Sequence, residues 1–184
     1  MNKDEIIARL KAGNEKYVSS EKADGNISQA LRKDLFENGQ HPYAVVVTCS
    51  DSRVVPEDIF SAGLGELFTI RVAGNVLGDN QLGSIEYSVG HLGSPVVVIL
   101  GHTNCGAVGA AIEGGAGGYI RFITDAIKDI IGDEKDGYKA SCMNVEAGVK
   151  KAREVLAHAH ECENATVVGA IYDISDGHVE WLDV

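Results

Sequence analysis

The sequence predicts a single α/β domain: a central, mostly parallel sheet of about four parallel strands plus an antiparallel C-terminal edge strand, flanked by helices and preceded by an N-terminal helical arm. Three observations lead there. Apolar β-branched runs without alternation, such as residues 43–48 (YAVVVT), read as strands buried on both faces. These runs alternate with helical patterns, as βαβ units do. Between residues 41 and 118 there is no lysine, and fourteen of the 22 glycines fall there, so this stretch has little surface of its own and many tight turns.

In chain order, residues 2–19 and 28–38 carry apolar side chains at helical spacing (Ile6, Ile7, Leu10, Tyr17; then Leu31, Leu35, Phe36), separated by a polar turn at 21–26. The strand at 43–48 follows, and its signature repeats at 66–72, 95–100 and 165–171. Helices are expected over 79–92 with Asp79 as N-cap, over 119–131 and over 144–160. Ser175-Asp176-Gly177-His178 is a turn between IYDI and VEWL, which sends the last strand back antiparallel. With 184 residues, 45% of them hydrophobic, the chain suits one core, and residues 1–184 are expected to form one domain.

Charge removes two classes of partner. Sixteen Lys+Arg against 27 Asp+Glu give −11, the wrong sign for nucleic acid or an anionic membrane surface. The start, MNKDEIIARL, has no apolar signal-peptide core, and no run approaches the roughly 20 apolar residues of a membrane span, so a cytoplasmic protein is expected. In that reducing compartment the four cysteines, Cys49, Cys105, Cys142 and Cys162, read as free thiols or metal ligands.

Two strands end in unusual ways. The first runs into Cys49-Ser50-Asp51-Ser52-Arg53, the third into Gly101-His102-Thr103-Asn104-Cys105-Gly106. Ligand crevices of open α/β sheets lie beyond the carboxyl ends of strands, so the two tips can converge. Two Cys and one His in one place make a Zn²⁺ site, and three protein ligands leave a fourth position for water, as in catalytic sites. Cys105 precedes a helix start, which favours its thiolate. Cys142 and Cys162 have no spaced His and read as core or surface thiols. The Gly114–Gly118 cluster follows a helix and lacks a Lys-Ser/Thr ending, so it reads as a connection and not a phosphate loop.

The pair Cys-x-Asp-x-Arg and His-x-x-Cys, with Gly39-Gln40-His41-Pro42, Gly65-Glu66-Leu67-Phe68, Arg71, Asn75 and the segment Ser84–Val89, resembles the β-class carbonic anhydrases over about residues 30–113. The resemblance implies one zinc per chain on Cys49, His102 and Cys105, and reversible hydration of CO2 to bicarbonate and a proton by attack of zinc-bound hydroxide. Two thiolates and a neutral imidazole cancel the metal's charge, so this zinc is a weaker Lewis acid than one on three imidazoles. Asp51 is placed to orient the attacking oxygen, and Arg53 to keep Asp51 ionised and aimed.

Val46 stands where closed, bicarbonate-regulated members carry Trp, and Gln40 where open members carry Gln, so the open type is expected. Gln40, Phe68, Tyr87 and the N–H of Gly106 would line the CO2 pocket. Part of that wall comes from a neighbouring subunit in the family, which implies a homodimer or larger homo-oligomer with the 1–38 arm packed on the partner. Tyr87 and His91, four apart on a helix, are candidates for the proton shuttle. Ala107 departs from the commoner Gly. Two alternatives stand beside this reading: a related hydrolase of CS2 or COS, and a non-catalytic dimeric domain stapled by zinc.

Overall fold

A computed structural model describes residues 1–20 and 25–184; positions 21–24 of the expected polar turn lie outside the described residues. Strands β1 (Ala44–Thr48), β2 (Leu67–Arg71), β3 (Val96–His102), β4 (Thr166–Tyr172) and β5 (Val179–Leu182) form one sheet in the order β2-β1-β3-β4-β5. The first four are parallel, and β5 returns antiparallel to β4, as expected.

Every residue of β1 and β3 is buried, because successive side chains feed two different cores. On one face Val46, Val98 and Leu100 pack with Phe60 and with Ile6 and Leu10 of α1 (Lys3–Ser19). On the other, Val45, Val47, Val97 and Ile99 meet Ile85, Val145 and Val149. A strand covered on both sides has no reason to alternate, which is why the apolar runs read as they do.

The two halves of the N-terminal arm behave differently. Helix α1 opens with a reciprocal cap, in which Asn2 Oδ1 accepts from Glu5 N and the Glu5 carboxylate accepts from Asn2 N, both at 2.9 Å. It lies on this chain's own sheet. Helix α2 (Gln29–Asn38), capped by Ser28, buries none of its residues, and Phe36 is 89% exposed.

The remaining helices connect strands. A single turn, α3 (Pro56–Ile59), precedes β2, and a 3₁₀ turn (Ala73–Asn75) follows it. Helix α4 (Asp79–Glu86) is capped by Gly78, one residue earlier than expected, and passes into a π-helical turn at Tyr87–His91. Helices α5 (Gly106–Ile112), α6 (Arg121–Ile131) and α7 (Gly137–Leu156) complete the cover. Helix α7 starts seven residues before the expected 144, because Asp136 caps it by accepting from Lys139 N at 2.8 Å, while Gly137-Tyr138-Lys139 shows no apolar period. It also ends at Leu156, short of His158 and His160.

The chain leaves β1 toward β2 on one side, while β3 sits on the other. Their carboxyl ends therefore flank a topological switch point, where the connections diverge and leave a crevice. Among the described residues no helix is long and apolar enough to cross a membrane.

Candidate metal centre

Cys49 follows β1 directly, His102 is the last residue of β3, and Cys105 is the N-cap of α5. His102 was expected in the loop after the strand, but β3 pairs with β4 as far as His102 opposite Tyr172, so the ring is carried by the sheet itself. Asn104, at φ +54°, turns the chain between the two ligand positions. One ligand-type atom from each of Cys49, His102 and Cys105 lies within 4.8 Å of the others, and all three residues are buried. Among the described residues this is the one group of three or more metal-binding side chains so gathered.

The polar bookkeeping of the site points to a missing partner. His102 is 0% exposed; its Nδ1 is 2.8 Å from the Thr103 carbonyl, which fixes that nitrogen as the donor. Nε2 is left buried with no hydrogen-bond partner among the described residues. Burial works against a charge on this ring, yet the adjacent Cys49 sulfur and the Thr103 carbonyl outweigh it and raise its pKa. Between the thiols one proton is shared. The Cys105 thiol donates to Cys49 and, against the cost of burial, His102 and the N–H groups of Gly74 (3.2 Å) and Asp51 (3.4 Å) also favour the Cys49 thiolate, so its pKa is lowered. The Cys49 sulfur and burial push Cys105 up, opposed by the N–H groups of Ala107 and Val108 at the start of α5. Two soft sulfurs and an unpartnered imidazole nitrogen fit Zn²⁺ and suit few other occupants.

Beside this cluster Asp51 and Arg53 form the expected bidentate pair: Nε to Oδ1 at 2.9 Å and Nη2 to Oδ2 at 2.7 Å, with the Arg53 backbone N–H also on Oδ1 at 3.0 Å. The guanidinium holds the Asp51 carboxyl well below the usual carboxylate range. Arg53 Nη2 also reaches the Asn104 carbonyl at 3.4 Å, tying the first ligand loop to the second. Arg71, at the end of β2, clamps the same loop from the other side by donating to the carbonyls of Cys49 (3.2 Å) and Asp51 (2.7 Å). Its role was not readable from residue type, because it acts on backbone atoms of a distant loop.

The other expected site residues divide. Gly106 adjoins Cys105 and so belongs to the centre. Phe68 does not, since it pairs with Val45, four residues before Cys49, which puts it about 13 Å back along the strand. Its ring lies 6.1 Å from that of Tyr87, and Tyr87 lies 5.4 Å from His91, an aromatic row along β2 and the π-helical turn. Tyr87 is 48% exposed. Gln40 is exposed and lies before β1, at the end of that strand opposite to Cys49. Within one chain, then, the ligands and the Asp51–Arg53 pair are together, while Gln40, Phe68, Tyr87 and His91 stand apart from them.

Residues 44–179 match the family model for carbonic anhydrase. Carbonic anhydrase 2 of Mycobacterium tuberculosis is 35% identical over 95% of this chain and 90% of its own length, and a carbonic anhydrase of Pseudomonas aeruginosa is 32% identical over 83% and 80%. Among solved structures, a β-carbonic anhydrase of Aspergillus fumigatus superposes with a TM-score of 0.75 at 29% identity, covering 98% of this chain and 91% of that one. A β-carbonic anhydrase of Sordaria macrospora, one of two described as tetrameric, gives 0.72 at 27% identity over 84% and 89%.

Proposed function

The chain belongs to the β-class carbonic anhydrases, and on that premise we propose how its residues divide the work of a zinc-dependent carbonate dehydratase, the reversible hydration of CO2 to bicarbonate and a proton. Cys49, His102 and Cys105 hold the metal; the observation that carries this is the buried, partnerless Nε2 of His102 facing two thiols. Zinc, when bound there, acts as a Lewis acid that makes a nucleophile of water near neutral pH.

Asp51 accepts a hydrogen bond from the attacking water and aims its lone pair at CO2. Arg53 keeps that carboxylate ionised and occupies both of its oxygens, which favours the open arrangement over one in which Asp51 is a fourth ligand. The N–H of Gly106, at the start of α5, donates a hydrogen bond to the polarised substrate oxygen. Gln40, Phe68 and Tyr87 form the apolar and polar wall around CO2, and they do so from a second copy of the chain, since in one copy they lie far from its own ligands. A homodimer is therefore the smallest active unit, with the exposed α2 and Phe36 covered by the partner, and residues 1–184 forming one domain. The Tyr87–His91 pair passes the released proton to solvent, with the His91 imidazole as the group that takes it up and releases it. Four free cysteines favour a reducing, cytoplasmic location.

The alternatives are not favoured: a purely structural zinc needs no Asp51–Arg53 pair, and the relatives are carbonic anhydrases, not CS2 or COS hydrolases. The test is CO2 hydration by protein carrying one zinc per chain. Zinc-loaded protein without activity at neutral and mildly alkaline pH would overturn the assignment.

A further inference from the structure

The N–H that Gly74 donates to the Cys49 sulfur comes from a backbone conformation that needs holding. Gly74 sits at φ +67° and Asn75 at φ +44°, two successive residues in the left-handed region, the second without glycine's freedom. A Cβ on Gly74 would come within 2.7 Å of Ile127 Cδ1 and 3.0 Å of Ala107 Cβ, so any other residue would have to displace these neighbours as well as bear the strain of the positive φ. Behind the loop, between Asn75 and Val76 on one side and Ala126, Asn144 and Gly148 on the other, lies a cavity of about 270 Å³. At Gly74 the turn packs closely on α5 and α6, while beside Asn75 a cavity lined by α6 and α7 leaves it less filled.

One buried side chain reaches it from α7. Asn144, 4% exposed, donates from Nδ2 to the Gly74 carbonyl at 2.9 Å, across 70 residues of sequence. A buried amide in the middle of a helix costs free energy unless it is hydrogen-bonded, and this one donates to the residue whose N–H supports a metal ligand.

We propose that Asn144 is a positioning residue for the metal centre: by holding the Gly74 carbonyl it keeps the Gly74 N–H on Cys49 Sγ, and so sets how strongly that sulfur binds zinc. The inference rests on Cys49 being a ligand. Outer partners that orient metal ligands characteristically change affinity about 10- to 100-fold when removed. Loss of the N–H···S bond frees the sulfur from its place in the donor set, which weakens zinc binding through lost orientation, and leaves more charge on the sulfur, which shifts the thiolate-to-metal charge transfer.

The experiment uses the full-length protein with Zn²⁺ and Co²⁺ as probes. Zinc affinity is measured by competition with a chromophoric chelator, and the thiolate-to-cobalt charge-transfer band is recorded, for wild type, Asn144→Leu and Asn144→Ala. Val149→Ala, in the core five residues further along the same helix, controls for loss of stability. The expected result is zinc affinity about 10-fold weaker and a shifted charge-transfer band in both Asn144 variants, with Val149→Ala like wild type in both readouts however much it lowers Tm. Unchanged affinity and band in a folded Asn144 variant overturn the proposal. So does an equal loss in Val149→Ala, which would make the effect one of stability alone. Should Asn144→Leu fail to fold, Asn144→Ala, which removes the bond without adding apolar bulk, decides by the same two readouts. If wild type itself shows no thiolate-to-cobalt band, it is the ligand assignment that fails.

Discussion

The two ends of β1 are built on opposite plans. At the carboxyl end, three donors from two adjacent strands and one helix start are held by backbone: Cys49 by N–H groups, His102 by the Thr103 carbonyl, and the loops between them by Arg53 and Arg71. Every group that holds those three donors belongs to the same chain. At the amino end and along the β2 edge, Gln40, Tyr87 and Phe36 are exposed, and α2 buries nothing. That is the region assigned to the second copy in the dimer proposed above. A centre that must place atoms to within tenths of an ångström is closed within one chain, while a wall that has only to exclude water and accept a small apolar molecule can be left for another copy to supply.

The largest effect separating these ends belongs to Cys49→Ala. Removing one of three ligands leaves His102 Nε2 and one thiol, so the variant is expected to lose its metal and fall to the uncatalysed rate, by zinc analysis and CO2 hydration. Asp51→Ala comes next and should do the reverse on metal: zinc retained near one per chain, kcat lower by about 10²- to 10⁴-fold. If Asp51→Ala loses zinc while Cys49→Ala keeps it, the roles given to the two residues are exchanged.

A smaller but sharper effect comes from mixing chains. A chain with an intact β2 edge but Cys49→Ala, refolded with an equal amount of a chain carrying Phe68→Ala and Tyr87→Ala, forms hybrid dimers in which one site receives a sound metal centre from one copy and a sound wall from the other. Random pairing makes half the dimers hybrid with one good site each, so about a quarter of wild-type activity should return from two inactive parents. No recovery would mean that the wall acts within its own chain, contrary to the register that puts Phe68 opposite Val45.

The contrast also decides what could be read from residues alone. The metal end was legible because its residues are local: Cys49-x-Asp51-x-Arg53 and His102-x-x-Cys105 each sit at the end of an unmistakable strand, and the bidentate pair follows from spacing of two. The sheet was legible through its buried β-branched runs. What escaped was settled by pairing over distance. His102 became a strand residue because β4 extends to Tyr172, and α7 began at Gly137 because one aspartate caps a stretch with no apolar period. Gly74 and Asn144 meet across 70 residues through a backbone carbonyl, for which residue type carries no signal. That α1 packs on its own sheet while α2 does not was equally hidden, since both helices show the same apolar spacing.

The smallest effect lies at the amino end of β1 and leaves chemistry untouched. Tyr43 precedes that strand, buried, with the Arg9 guanidinium 4.2 Å from its ring centroid. Burial pushes its pKa from 10.0 to about 12, more than Arg9 lowers it. A folded value above the unfolded one means that the neutral phenol stabilises the fold fully below pH 10, and that this contribution drains away as pH rises toward 12, roughly 2–3 kcal/mol in all at most. In Tyr43→Phe there is no proton to lose. The fall of Tm with pH above 10 should therefore be shallower in the variant than in wild type, with zinc content and neutral-pH activity the same in both. Parallel Tm curves would show that the phenol is already solvated in the folded protein. A loss of zinc in the variant would show that the two ends of β1 are coupled, which their separate hydrogen-bond networks argue against.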